Sequence, residues 1–205
     1  MKTCRWYYYP VGIFLFAALA AACVLPYGEE ILILNDLRFE PFNTVFRIIT
    51  GLGEPYMWVI AVIFYLFRSR STAIPLIVAG LLIMPVSYIV KDKAGSDRPY
   101  THFQNIGKSD QVVVVPGVAL NKGKTSFPSG HTMSAFGLYS MLALLSGRKN
   151  RYFLLTLAGL SVLTGISRIF LVQHFLIDVA GGAVMGMLIS WLVWKIWTTK
   201  KPRNF

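Results

Sequence analysis

TAIPLIVAGLLIMPVSYIV, Thr72 to Val90, runs 19 residues without a charge, with Arg68 and Arg70 before it and Lys91 after it. At 1.5 Å per residue a helix of that length crosses most of a bilayer's hydrocarbon core, roughly 30 Å thick. Outward from this stretch, Tyr8 to Pro26 and Phe175 to Trp197 meet the same criterion. Pro55 to Phe67, Thr132 to Ser146 and Tyr152 to Phe170 are shorter or interrupted, yet too apolar to lie in water, and each has an aromatic or basic edge. The chain of 205 residues is 55% hydrophobic and only 14% charged, an unusual balance for a soluble domain. These features predict an all-α, polytopic membrane helical bundle with about six transmembrane helices. No linker, repeat or low-complexity stretch divides it, so residues 1–205 read as a single domain.

The formal charge of +11 is distributed by helix parity. If the N-terminus starts inside, Lys2, Arg5, Arg68, Arg70, Arg148, Lys149, Arg151, Lys195, Lys200, Lys201 and Arg203 all fall on the inner face, with no acid among them. The nine acids fall on the outer face with the other nine bases, so the whole net charge belongs to the inside. This is the positive-inside pattern, with both termini cytoplasmic. The bases are scattered over short turns and form no continuous stripe, so the reading is no nucleic-acid partner. Attraction to anionic headgroups suffices for them.

Lys2 and Arg5 ahead of Val11 to Ala22 resemble a secretory signal. Cleavage would leave an odd number of helices and spoil the charge pattern, so an uncleaved first helix is expected. Cys4 and Cys23 are too far apart along that helix to pair and lack metal-type spacing, so both read as inert. Between the first two helices, Phe42, Phe46 and Ile49 share a helical face, ended by Gly51 and Gly53 with Glu54 following. A short interfacial helix is expected there, either a wall along which lipid enters or a cover for the bundle's end. No catalysis is placed on it.

Three polar clusters interrupt the apolar pattern: Lys91 to Pro99, Pro128 to His131, and Ser167 to Asp178. Parity puts all three on the outer face. Lys91, Arg98 and Arg168 supply three cations, and arginine offers a planar fork matched to phosphate oxygens. Ser129, Gly130 and His131 stand where a loop enters a helix, so a hydroxyl and first-turn N–H groups can face the same anion. Gly130 lets the backbone come close. The chain has three histidines, two of them in these clusters. His174 and Asp178 are spaced i, i+4, which predicts one face of the sixth helix, with the carboxylate holding one ring nitrogen. Spacing alone does not settle whether His174 or His131 is the nucleophile.

Metal ligation by His131, His174 and Asp178 is the competing chemistry, but three nearby cations would repel a dication, and the reading is no metal and no cofactor. His102, beside Tyr100, is placed at the rim. A channel, transporter or lipid-binding scaffold could also be a six-helix bundle with an anion site. Such a protein would carry ionisable residues in mid-membrane, whereas Arg168 and Asp178 lie near helix ends.

Lys91 with Arg98-Pro99, Pro128-Ser129-Gly130-His131, and Ser167-Arg168 with His174 and Asp178 resemble the three-part motif of the type 2 phosphatidic acid phosphatase (PAP2) superfamily. Six residues separate Lys91 from Arg98, five separate Arg168 from His174, and three separate His174 from Asp178, as in that family's pattern. The resemblance is tight in the clusters and loose in the helices. It implies membership of the bacterial integral-membrane branch, in the inner membrane with the motifs facing the periplasm, and a metal-independent two-step hydrolysis. In that scheme His174 forms a phosphohistidine, Asp178 orients it, and His131 protonates the leaving group. Lys91, Arg98, Ser129, Gly130 and Arg168 bind the phosphoryl oxygens. The implied partner is a lipid phosphate in the bilayer: lipid A, undecaprenyl pyrophosphate, phosphatidylglycerophosphate or phosphatidate. A phosphotransferase would use the same site, and protein partners are not indicated. The loop from Tyr100 to Phe127 is expected to discriminate headgroups, with a short strand or hairpin at Val112 to Val115; Lys108, Lys122 and Lys124 suit a larger anionic headgroup such as lipid A and equally a solvated rim.

Overall fold

A computed structural model describes residues 4–146 and 150–200. Lys2, Arg148, Lys149, Lys201 and Arg203 of the inner-face charge pattern lie outside the described residues. The helices, in chain order, are α1 (Arg5–Val24), α2 (Glu29–Ile33), α3 (Phe42–Thr50), α4 (Pro55–Arg68), α5 (Arg70–Ala94), α6 (Pro99–Asn105), α7 (Gly130–Ser146), α8 (Arg151–Phe170) and α9 (Leu176–Lys200). Six of them are long and coincide with the six apolar segments. Their ends follow local chemistry: Pro55 and Pro99 occupy first helical positions, where a missing N–H costs nothing. The Asn150 side chain accepts from the N–H of Tyr152 at 3.0 Å and caps α8. Gly95, at φ 56°, ends α5 in the left-handed region that glycine adopts without strain.

Among the described residues four helices are long and apolar enough to cross a membrane, and a fifth span results if α3 and α4, bent by 54°, count as one broken span. α7, with 17 residues, is short for a span but sits at the centre. Every residue from Thr132 to Met141 is buried, enclosed by α9, α8 and α5. Lipid tails are as apolar as leucine, so close van der Waals packing and interhelical hydrogen bonds must hold such a bundle together. The α7–α9 pair shows both. A Cβ on Gly182 would stand 2.6 Å from the Ser129 carbonyl oxygen, and one on Gly186 2.2 Å from that of Met133. One turn further on, Ser190 Oγ donates to the Gly137 carbonyl at 2.7 Å. The two backbones therefore touch along successive turns, which fixes the start of α7 against the start of α9.

Among the described residues there is no β-strand, which corrects the strand or hairpin expected at Val112 to Val115. Val112 and Val115 bury their side chains in two separate apolar clusters. The backbone bonds to a side chain instead of a ladder: Val113 N–H donates to Asn35 Oδ1 at 3.1 Å, and Asn35 Nδ2 donates to the Gln111 carbonyl at 2.7 Å. Cys4 is buried, Cys23 is exposed and both are free.

Candidate active site

The three clusters meet at one end of the bundle because three loops fold over it. Lys91 lies in the last turn of α5, and its Nζ donates to the Thr125 carbonyl at 2.8 Å. Arg98 immediately precedes α6; its backbone N–H donates to the Gly123 carbonyl at 2.8 Å and its Nε to Thr125 Oγ1 at 3.3 Å. The end of the long loop between α6 and α7 is thus pinned between two of the predicted cations.

After α8 ends at Phe170 the chain turns sharply. The backbone N–H groups of Gln173 and His174 both donate to the Arg168 carbonyl, at 2.9 and 3.2 Å, and Val172 adopts a φ of 57°. A β-branched residue rarely enters that region, at a cost of about 1–3 kcal/mol, and such strain concentrates beside functional groups. The turn leaves His174 ahead of α9, which begins at Leu176. This corrects the reading of His174 and Asp178 as a pair on one helix face. They meet because Asp178, in the first turn of α9, reaches back to cap it: Oδ2 accepts from the Phe175 N–H at 2.9 Å and from Ser126 Oγ at 2.5 Å.

His174 is 2% exposed and Asp178 1%. His174 Nδ1 stands 3.5 Å from Asp178 Oδ2 and has no hydrogen-bond partner. Its Nε2 is 3.1 Å from Arg98 Nη1, which also donates to the Gln173 carbonyl at 3.0 Å. A guanidinium has only donors, so Nε2 must present its lone pair, and the neutral ring carries its proton on Nδ1, facing Asp178. Burial pushes the His174 imidazole well below the ordinary histidine range, and Arg98, Arg168 and Lys91 push it the same way. An uncharged ring with its lone pair on the cation side is the electronic form of a nucleophile.

Arg168 is 5% exposed; its Nη1 donates to Thr50 Oγ1 at 2.5 Å, while its Nε has no partner. A buried unpaired N–H costs about 1–3 kcal/mol, and an anion's oxygen would satisfy it. The Ser129 N–H donates to the Asp178 carbonyl at 3.0 Å, and its Oγ accepts from Thr132 Oγ1 at 2.8 Å, which leaves the Ser129 hydroxyl proton to donate. A Cβ on Gly130 would meet nothing closer than Ser87 Oγ at 3.6 Å. The glycine that protein packing demands here is Gly182, behind Ser129. Ser167 is structural, its hydroxyl bonded to the Thr164 carbonyl at 2.6 Å. His102 lies edge-on to Tyr27 and Phe175, outside the polar network.

A profile of the PAP2 superfamily matches residues 72–202, a stretch that holds all three clusters. The chain belongs to the PAP2 superfamily. Phosphatidylglycerophosphatase B of Bacillus subtilis is 31% identical to it over 206 residues, covering 91% of this chain and 93% of that protein. Lipid A 4'-phosphatase of Porphyromonas gingivalis is 26% identical over 178 residues, covering 84% and 73%. The crystal structure of a transmembrane PAP2 type phosphatidylglycerolphosphate phosphatase from Bacillus subtilis superposes with a TM-score of 0.67 at 26% identity, covering 97% of this chain and all of that one. With its apolar helices, this PAP2 protein is an integral membrane protein.

The site also holds residues outside the three sequence clusters. Thr125 and Ser126 lie in the loop between α6 and α7, where nothing distinguishes them from other polar loop residues. Thr50 and Glu54 belong to the segment expected only to cover the bundle or admit lipid. Glu54 Oε1 is 2.8 Å from His131 Nε2. A carboxylate only accepts, so His131 carries a proton on Nε2. The signal available in the sequence was Glu54 itself, an acid directly ahead of a helix-opening proline at the same end as the clusters.

Proposed function

We propose that this PAP2 protein hydrolyses a phosphate or pyrophosphate monoester carried on a membrane lipid, through a phosphohistidine, without a metal. The observation that carries this reading is the Arg98 guanidinium on His174 Nε2, which defines a buried neutral imidazole with its lone pair beside three cations. His174 Nε2 attacks phosphorus, the bond to the leaving oxygen breaks, and that oxygen takes a proton from His131. Water then attacks the phosphohistidine, giving its proton back to His131, and the nitrogen–phosphorus bond breaks to restore His174. Asp178 faces the Nδ1 proton from 3.5 Å and stabilises the imidazolium-like charge that develops. Lys91, Arg98, Arg168, the Ser129 hydroxyl and the N–H groups opening α7 at Gly130 take the equatorial oxygens. Lys91, Arg98 and Arg168 lie within electrostatic reach of one another, so an anion relieves their mutual repulsion while a dication would add to it.

The reading includes a single catalytic domain over residues 1–205, in a bacterial inner membrane with both termini cytoplasmic and the site on the periplasmic side. The distribution of bases supports that orientation. The substrate class is a lipid with a terminal phosphate, as the names of the relatives suggest: lipid A, undecaprenyl pyrophosphate, phosphatidylglycerophosphate or phosphatidate. Detergent-purified protein in excess chelator is expected to release phosphate from at least one member of that panel, and His174→Ala to abolish release. Turnover lost with chelator and restored by a metal overturns the metal-free reading. Full activity in the variant overturns the nucleophile.

A further inference from the structure

Four contacts stitch the turn between α3 and α4 to the catalytic helices. Thr50 Oγ1 accepts from Arg168 Nη1, the Leu52 carbonyl accepts from Tyr139 Oη at 3.1 Å, and Glu54 Oε1 accepts from His131 Nε2 at 2.8 Å. Gly53 packs so tightly that a Cβ would stand 2.7 Å from the His131 carbonyl oxygen and 2.9 Å from Thr164 Cγ2. A glycine at that approach places the next residue, Glu54, against the His131 ring. The side chains of this pair are 29% and 40% exposed, more open than the buried His174 and Asp178. Glu54 lies outside the matched stretch 72–202, and 77 positions separate it from His131.

The charges around His131 explain what a carboxylate can do there. Burial, with Arg168 on α8 and Arg98 ahead of α6, pushes the His131 imidazole below the ordinary histidine range against the opposing pull of Glu54, and His174 ahead of α9 lies within electrostatic reach. A general acid must nevertheless enter the bond-breaking step with a second proton on the ring. Glu54, ahead of α4, is the acidic group that faces the ring within hydrogen-bond distance. An opposite charge at such a distance typically favours the protonated form by about 1–3 pH units.

We propose that Glu54 is a positioning residue of the reaction: it orients His131 through Nε2 and favours the imidazolium form that protonates the leaving group. The inference rests on the reading of His131 as general acid given above. When the phosphorus–oxygen bond breaks, the proton on the ring nitrogen that Glu54 does not hold moves to the leaving oxygen. The ring stays neutral with Nε2–H still on the carboxylate, and it regains its second proton from the attacking water in the next step.

The test compares wild type, Glu54→Gln, Glu54→Asp, His131→Ala and the Glu54→Gln/His131→Ala double variant in detergent, each with a lipid phosphate and with p-nitrophenyl phosphate. The latter's leaving group departs without needing a proton. Glu54→Gln is expected to lower kcat on the lipid about 10- to 100-fold with KM within about threefold, since only acid catalysis is lost. Its kcat/KM should fall off on the alkaline side about one pH unit or more earlier. The defect should shrink several-fold on p-nitrophenyl phosphate, Glu54→Asp should recover part of the loss, and the double variant should be no slower than His131→Ala. Wild-type rates and an unshifted profile in Glu54→Gln overturn the proposal while leaving the phosphatase reading intact. So does an equal loss on both substrates, which marks a purely structural role. Full activity in His131→Ala on the lipid overturns the general-acid reading on which the proposal stands.

Discussion

The two site histidines occupy opposite environments. His174 sits in a strained turn, buried, with a guanidinium on one nitrogen and a carboxylate beyond hydrogen-bond distance on the other. His131 opens a helix, is partly exposed, and has a carboxylate directly on Nε2. Because an arginine only donates and a carboxylate only accepts, Nε2 carries a lone pair in His174 and a proton in His131. In the proposed mechanism these neighbours separate two chemically identical side chains into a nucleophile and an acid, the usual way one site runs both kinds of chemistry.

Exchanging the leaving group separates the two histidines' roles most strongly. If the assignment is right, His131→Ala lowers kcat on a lipid monoester by about 10²–10⁴-fold, and by much less on p-nitrophenyl phosphate. Steady-state kinetics on both substrates checks this, and equal losses would put both histidines in one role.

A smaller effect concerns pH. His174 is held well below the ordinary histidine value by burial, with Arg98, Arg168 and Lys91 adding to it. The acidic limb of kcat/KM due to His174 is therefore expected below pH 6.5, where a solvated histidine would titrate. The same shift acts on stability. A base whose folded-state pKa is depressed contributes stability that is complete above about pH 6.5 and is lost as pH falls toward the folded-state value. Melting temperature in detergent should decline across that acid window, and His174→Gln should flatten the decline. A His174-dependent limb at or above pH 6.5 contradicts the burial argument.

The same contrast separates what the sequence discloses from what it hides. Helices are legible because lipid demands unbroken apolar runs, and all six segments reappear with ends shifted by a few residues. The convergence of Lys91, Arg98, His131, Arg168 and His174 is legible because crossing parity sends every cluster to the same end. The partnership of Glu54 with His131 is not, because it joins residues 77 positions apart on a segment whose apolar face dominates its pattern. Nor is the α7–α9 seam: Gly182 and Gly186 look like small residues in a span until the facing carbonyls are in place. His174 and Asp178 were readable as partners but not as capping geometry, since the sharp turn at Val172 depends on two N–H groups converging on the Arg168 carbonyl.

In the proposed mechanism His174 Nε2 becomes covalently bonded to phosphorus while His131 does not. Rapid acid-free quenching of the protein with a ³²P-labelled lipid phosphate, followed by alkaline-stable peptide mapping, tests it directly. Label on the His174 peptide, absent in His174→Gln and accumulating in a variant slowed in hydrolysis of the intermediate, is the predicted result. Label on the His131 peptide, or turnover with no labelled peptide in any variant, would contradict it.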